Sequence, residues 1–305
     1  MVADPGLSAR PWAVAVFAHN EGPRIAAALQ SIVDAANGHP LQITVLANGC
    51  RDDTAAVAQA FAAHRPAGEV QVLQIALGDK ANAWNAFVHD VAAKRPPDAV
   101  AMHVFVDGDV RVEPGALPAL AAALAQQPEA HAVGALPTTG RDREAWRERM
   151  LRSATLAGGL YALRDSFVQR LVQRDIRVPV GLIGEDWFVS VLARFDLQPV
   201  NPIAGMVPRV VFAPDAGFAF RSLSPWRWGD HRVHWRRLWR YALRGVQFEI
   251  VLGLLLHQHP DHLPRDVSGL YRDGPMPSRL KWVGRTSVLR SLAVARVRQL
   301  RSRAG

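Results

Sequence analysis

The sequence predicts an α/β fold in which a mostly parallel sheet is flanked by helices and followed by a helical C-terminal extension. Up to Asp109, short apolar runs alternate with segments of helical periodicity, the order expected of strand–helix units on a parallel sheet. The first of them, Trp12–Ala18, is apolar at consecutive rather than alternate positions, as expected of a strand covered on both faces. At 305 residues, 49% of them hydrophobic and 21% charged, the chain can bury one large core, or a main domain with an appendage.

Trp12–Ala18 is the first such run. Asn20 is placed to cap the next segment, Pro23 suits a first turn, and Ile25, Leu29, Ile32 and Val33 form a helical stripe. Ile43–Ala47 reads as the second strand and Thr54–Phe61 as its helix. Val70–Ile75 is the third strand and Ala81–Val91 its helix. Ala99–Val106 is the fourth strand and runs directly into Asp107. Beyond residue 137 the pattern loosens. An amphipathic helix is predicted over Asp142–Leu151 and another over Glu185–Phe195, with loops at Gly158-Gly159 and Pro179–Gly184. A shift in composition near residue 220 divides a main domain, 1–220, from a basic, Trp- and Arg-rich extension, 221–305.

Composition narrows the function classes. A single cysteine, Cys50, excludes an internal disulfide framework and a cysteine-based zinc site. Met1–Arg10 does not read as a signal peptide, and the most apolar stretch, Phe248–Leu256, is far shorter than the ~20 residues a membrane span needs. The expectation is a cytoplasmic protein, or one lying peripherally on the inner face of the membrane. The net charge of +9 is unevenly placed: seven arginines and one acid between Arg221 and Arg244, eight Lys/Arg and no acid between Arg279 and Arg303. Such patches suit phosphates, anionic lipid headgroups or nucleic acid. No Walker A pattern, no G-x-G-x-x-G after the first strand and no G-x-S-x-G occurs.

Ligands of open α/β sheets bind beyond the carboxyl ends of the strands. Four polar clusters stand there: His19-Asn20-Glu21, Asn48–Asp53, Gly78-Asp79-Lys80 and Asp107-Gly108-Asp109. Two carboxylates around a glycine can approach one hard cation, Mg²⁺ or Mn²⁺, and bridge it to diphosphate oxygens. In isolation the same tripeptide is a solvated turn, but acids gathered at the mouth of a buried strand call for a counter-charge. In Gly184-Glu185-Asp186-Trp187 a carboxylate can serve as general base, or both acids can simply stabilise a first helical turn. Lys80 can face a phosphate or pair with Asp79. Asn48 can read a uracil-like edge, although Asn-Gly is also a good turn. Residues Pro225–Trp239 carry four of the nine tryptophans among arginines, suited to sugar or base stacking or to a packed helix face. His257, His259 and His262 lack a zinc spacing and read as loop histidines.

Taken in order, these motifs resemble family-2 glycosyltransferases of the GT-A fold. Val16–Glu21 looks like that family's first strand with its Asn-Glu pair, and Val45–Thr54 is similar to its D-D-G-S-x-D-x-T segment, with Ala47 and Cys50 as departures. Gly78–Asn85 resembles its Lys-containing segment, Phe105–Asp109 its D-x-D and Gly184–Trp187 its E-D motif. Ser224–Trp228 only echoes the motif of processive members. The resemblance spans about residues 12 to 200 and implies an inverting transferase that uses a nucleotide-diphosphate sugar, with a UDP-sugar expected first. It implies that His19, Asn20, Glu21 and Asn48 hold the nucleoside, that Lys80, Asp107, Gly108 and Asp109 hold the diphosphate, and that Asp107 and Asp109 bind Mn²⁺ or Mg²⁺. Asp186 would be the general base, helped by Glu185. Tyr161 and Arg164, in a loop from Gly158 to Arg164, together with Trp187, Arg227 and Trp228, would line the acceptor side or a lid.

The acceptor expected is a glycan, a lipid-linked or a small molecule, with a possible peripheral contact to anionic membrane and no nucleic acid. Alternatives are a sugar-phosphate nucleotidyltransferase, which would want a glycine-rich basic loop after the first strand, and a non-catalytic sugar- or nucleic-acid-binding protein, which would need neither acid pair.

Overall fold

The computed structural model describes residues 10–201, 207–220, 228–277 and 287–304. The predicted alternation is present. Strand β1 (Trp12–Ala18) leads to α1 (Gly22–Ala35), β2 (Leu41–Asn48) to α2 (Thr54–Ala63), and β3 (Val70–Ile75) to α3 (Lys80–Ala86). Helix α3 passes into a π turn over Phe87–Val91 and a 3₁₀ turn over Ala92–Lys94, so the predicted single helix is three short pieces. Then follow β4 (Met102–Asp107), the short β5 (Arg111–Val112), α4 (Ala116–Gln126), β6 (Ala132–Pro137) and α5 (Arg143–Ser153). Strand β7 (Leu160–Arg164), α6 (Asp165–Gln173), α7 (Glu185–Arg194) and β8 (Val210–Ala219) complete the sheet region. Three helices end the chain: α8 (Trp228–Leu255), α9 (Val267–Asp273) and α10 (Ser287–Ala304).

The eight strands lie in the order β3-β2-β1-β4-β7-β6-β8-β5. Strands β1 to β4 pair in parallel, joined by crossover connections that contain helices. Strand β7 is antiparallel to both β4 and β6, and β8 runs parallel to β6. Alternate residues of β1 enter two cores. Trp12, Val14, Val16 and Ala18 pack with α1 and α4 on one face, while Ala13, Ala15 and Phe17 face the other. That second core contains Trp84, Phe105, Phe167 and Phe188, and also Val246, Ile250, Leu270 and Val294 of the C-terminal helices. The helices after residue 228 therefore share a core with the sheet.

Two local expectations change. Asn20 does not cap α1: it adopts a left-handed backbone (φ 57°), Glu21 takes the cap position, and the Asn20 side-chain oxygen accepts the amide of Arg51 at 2.8 Å. The predicted loop from Gly158 to Arg164 is largely β7, in the middle of the sheet. Only Gly158 and Gly159 turn, because a Cβ on Gly159 would stand 2.3 Å from Phe218.

Candidate functional site

The carboxyl ends of β1, β2 and β4 meet the amino end of α7, and the sequence-predicted charges converge there. The Lys80 ammonium lies 2.5 Å from Asp107 and 2.6 Å from Glu185. It pairs with these two rather than with Asp79, whose carboxylate caps α3 and accepts the amides of Asn82 and Gly181. Burial works against the charge of Lys80, but Asp107, Glu185 and Asp186 outweigh it and hold its pKa well above the usual value. One lysine does not balance the acids. Loss of water around Asp107 pushes its carboxyl up to about 7; Lys80 pulls it down, and Glu185 and Asp109 push it up again.

Backbone geometry makes this crowding possible. The Gly108 amide donates to the Phe17 carbonyl at 2.8 Å, and a Cβ on Gly108 would stand 2.8 Å from that same oxygen. Glycine thus lets the end of β4 close onto the end of β1. Gly158 is equally constrained: a Cβ there would lie 2.7 Å from the Lys80 nitrogen and 3.4 Å from oxygens of Asp107 and Glu185.

Asp186 sits in the first turn of α7. One of its oxygens accepts the amide of Gly158 and the other that of Trp187, both at 2.8 Å. Burial and the neighbouring Glu185 raise its pKa, against the pull of Lys80 and the two amides. A carboxylate so placed is oriented and a better proton acceptor than an ordinary surface aspartate. Glu185 is turned to Lys80, so its contact is with the ammonium rather than with Asp186.

At the other strand ends, the His19 Nδ1 donates to the Asn48 carbonyl at 2.6 Å, since that oxygen can only accept. This leaves Nε2 to accept from the Asn20 amide at 3.2 Å. The Glu21 carboxylate holds Arg24 at 2.6 Å; burial and Asp109 push its pKa up while Arg24 draws it back. Asp52 accepts the Gly22 and Thr54 amides and the Thr54 hydroxyl, fixing the loop after β2 against the start of α1.

Several expected site residues belong elsewhere. The Asn48 side chain is 4% exposed and donates to the Ala18 carbonyl, so it ties β2 to β1 and is not free to read a base. Tyr161 is buried, and its hydroxyl accepts the Trp84 indole N–H at 3.0 Å. Arg164 pairs in register with Met102 while Leu160 pairs with Val106, which puts it roughly 13 Å along the strand from the Asp107 end. There it binds the carbonyls of Leu124, Gln127 and Ala130. Neither residue lines an acceptor wall. Arg227 lies outside the described residues, as does the side chain of Trp228. Trp187 stacks on Phe248 of α8, with ring centroids 3.6 Å apart.

Other residues with a part in the site carry no local signal. Gln247 is buried in α8, where it accepts the Ile183 amide and donates to the Gly181 carbonyl and the Tyr271 hydroxyl, fixing the loop ahead of Asp186. Asn85 does the same one strand away, clamping both backbone groups of Val178. A polar residue inside an apolar helical stripe is the one hint the sequence offers for either.

Among the described residues no three His, Cys, Asp or Glu side chains are arranged to hold a metal by themselves. A cation such as Mg²⁺ or Mn²⁺ needs only one or two carboxylates, with waters and substrate phosphates completing its shell. The oxygen-only donors Asp107 and Asp109, and the acid excess around Lys80, fit it. The acid excess also gives a pH test. With chelator present, Asp107→Asn should be more stable than wild type at pH 8, by roughly 1–3 kcal/mol, because a carboxyl raised to about 7 costs stability as an anion even with Lys80 beside it. The carboxyl is raised in the folded state, so its ionisation weakens the fold as pH rises from the unfolded range near 4 through about 7. The advantage should therefore fade at pH 5. Urea unfolding of the two proteins at both pH values measures it, and an advantage that did not grow with pH would show that Asp107 is not strained as an anion.

Residues 9–150 match the family model described as "Glycosyltransferase like family 2". No curated protein matches the chain. Among solved structures, it resembles the mannosyltransferase PcManGT from Pyrobaculum calidifontis, in complex with GDP-Man and Mn²⁺. The TM-score is 0.60 at 18% identity, covering 99% of this chain and 78% of that one. It also resembles glucosyl-3-phosphoglycerate synthase from Mycobacterium tuberculosis with Mn²⁺, UDP and phosphoglyceric acid, at a TM-score of 0.52 and 20% identity, covering 78% and 80%. At these identities the likeness establishes the GT-A fold. The family match lies over the segment that carries the motifs from Trp12 to Asp109.

Proposed function

We propose that this chain transfers a sugar from a nucleotide-diphosphate sugar to an acceptor hydroxyl with inversion at the anomeric carbon. The observation that carries this is the convergence of Lys80, Asp107, Glu185 and Asp186 at the strand ends, with Asp109 beside them. A Mn²⁺ or Mg²⁺ held by Asp107 and Asp109 would draw negative charge from the departing diphosphate. Lys80 supplies a fixed positive charge at the same place, already oriented by two carboxylates and needing no rearrangement as charge develops. Asp186, held by two backbone amides, takes the proton from the attacking hydroxyl. The nucleoside lies against His19, Asn20 and Glu21. With Asn48 committed to Ala18, the base is read by this first-strand corner, and a UDP-sugar is the first donor to test. The nucleotidyltransferase alternative is disfavoured because the tight His19–Glu21 turn stands where its glycine-rich loop would be.

Incubation with a panel of UDP- and GDP-sugars and Mn²⁺ should release nucleoside diphosphate slowly from at least one donor. Excess EDTA should abolish the release. Failure with every donor, or release indifferent to chelation, would reject the metal-assisted reading.

A place on the inner face of the membrane is part of the same proposal. No helix among the described residues is long and apolar enough to cross a membrane. Helix α10, however, exposes Val288 (71%) and Leu292 (53%), followed by the exposed Arg296 and Arg298 on a chain of net charge +9. Apolar side chains flanked by cations suit an anionic bilayer surface. The protein should float with phosphatidylserine vesicles at low salt and detach at ~0.5 M salt, where screening is nearly complete. No flotation at low salt would remove the membrane contact.

A further inference from the structure

Helix α8 lays a second set of groups beside the amino end of α7. Gly184, immediately before Glu185, has a left-handed backbone (φ 97°), and a Cβ on it would meet Phe248 at 2.9 Å and Arg244 at 3.0 Å. Arg244 and Phe248, one turn apart on α8, therefore close directly over the peptide that leads into the acid pair. Trp187 stacks against Phe248, with the rings inclined by 11°. The Arg244 guanidinium is held over two aromatic rings, 4.9 Å from the centre of Tyr241 and 5.6 Å from that of Phe248. Stacking of this kind restrains an arginine without using its N–H donors, which remain at the edge of the plane.

Among the described residues no carboxylate pairs with Arg244. The contrast with other arginines of the fold is informative: Arg170 and Arg209 pair with Asp196, Arg174 with Asp261, Arg177 with Asp175 and Arg290 with Glu249. A restrained cation with free donors has thus been placed beside a site whose other charges are mainly acids. An anionic molecule approaching Asp186 would meet repulsion there unless a cation on the same side offset it.

On the reading that Asp186 receives an acceptor hydroxyl, we propose that Arg244, with Trp187 and Phe248 as its apolar wall, forms an acceptor subsite for an anionic group. The acceptor is then a hydroxyl compound bearing a carboxylate or a phosphate, held by bidentate donation from the guanidinium. Lys80 and the Asp107/Asp109 pair lie on the strand-end side and serve the donor. Arg244 lies on the helix side and serves the acceptor.

Ligand-observed NMR on the full chain, with nucleoside diphosphate and Mg²⁺ present, tests this with probes that differ in one charged group: glycerate and glycerol 3-phosphate against glycerol, and glucuronate against glucose. Wild type should bind at least one anionic member at least fivefold more tightly than its neutral partner. Comparing glycerate with glycerol 3-phosphate then tells carboxylate from phosphate. Arg244→Gln should erase the preference, and Arg244→Lys, which keeps the charge but not the bidentate fork, should retain part of it. No preference in wild type, or a preference that survives in Arg244→Gln, overturns the proposal. So does an Arg244→Gln protein that instead loses nucleoside diphosphate binding, which would assign the arginine to the donor. Donor hydrolysis by wild type is scored separately. Anion preference without hydrolysis leaves the subsite standing and rejects the transferase reading; hydrolysis without anion preference does the reverse.

Discussion

Asp186→Asn is expected to reduce sugar transfer by about 10²–10⁴-fold, the usual contribution of a positioned general base, while nucleoside diphosphate affinity changes little. The substitution keeps the shape of the side chain and removes its ability to take a proton. It has one structural side effect that can be computed from the hydrogen bonds. Asp186 accepts two backbone amides, one on each oxygen, whereas asparagine has a single acceptor oxygen. One of the Gly158 and Trp187 amides would then face an NH₂ group, at a cost of about 1–3 kcal/mol for an unmade buried bond. Thermal unfolding should show that modest loss, and steady-state transfer the much larger one. If transfer remained within tenfold of wild type in a folded protein, Asp186 would not be the base, and Glu185 would be examined next.

Lys80→Met should be comparably severe for a different reason. The lysine is the one described cation in direct contact with both Asp107 and Glu185. Removing one partner of a buried ion pair leaves an uncompensated charge, typically costing about 3–5 kcal/mol, here reduced because Lys80 and Asp107 each retain some solvent contact. Transfer should fall by about 10²–10³-fold as a preorganised charge on the diphosphate is lost. The pH dependence identifies the cause. Asp107 is already pushed up to about 7 with the lysine present, so it rises further without it. The destabilisation should be greater at pH 8 than at pH 6. At pH 6 Asp107 is already largely protonated with or without the lysine, whereas at pH 8 the variant must bind a proton that wild type does not or carry an unpaired charge. Urea unfolding at the two pH values measures this, and an equal loss at both would mean that packing rather than charge is responsible. Lys80→Arg should not restore full activity, because a flat guanidinium does not reproduce a compact ammonium held between Asp107 and Glu185.

The parts of the fold that were legible in the sequence are those specified by local pattern. The run Trp12–Ala18 is a strand over those same residues, because consecutive apolar side chains suit a strand buried on both faces. Val70–Ile75 is a half-exposed edge strand in which Gln71 and Gln74 are exposed. The second half was harder to read. Strand β7 is only five residues long and follows a pair of glycines, so Gly158–Arg164 reads as a loop. Its partners, β4 and β6, lie far away in the chain, and no local window contains the pairing that makes it a strand.

The site divides in the same way. By itself the sequence determined the α/β class, the carboxyl-end location of the polar clusters, and the choice of Asp107-Gly108-Asp109 and Glu185-Asp186 as candidate site acids. Residue type, periodicity and order along the chain are local properties, and they survive without coordinates. Only the tertiary structure decided which charges meet. It set Lys80 on Asp107 and Glu185 rather than on Asp79, committed Asn48 to Ala18 and Tyr161 to Trp84, sent Arg164 to the far end of its strand, and brought Gln247, Arg244 and Phe248 of α8 against the Gly184 peptide. A side chain's partner is fixed by the packing of segments remote in sequence, where burial makes an unpaired charge or polar group costly enough to select one arrangement.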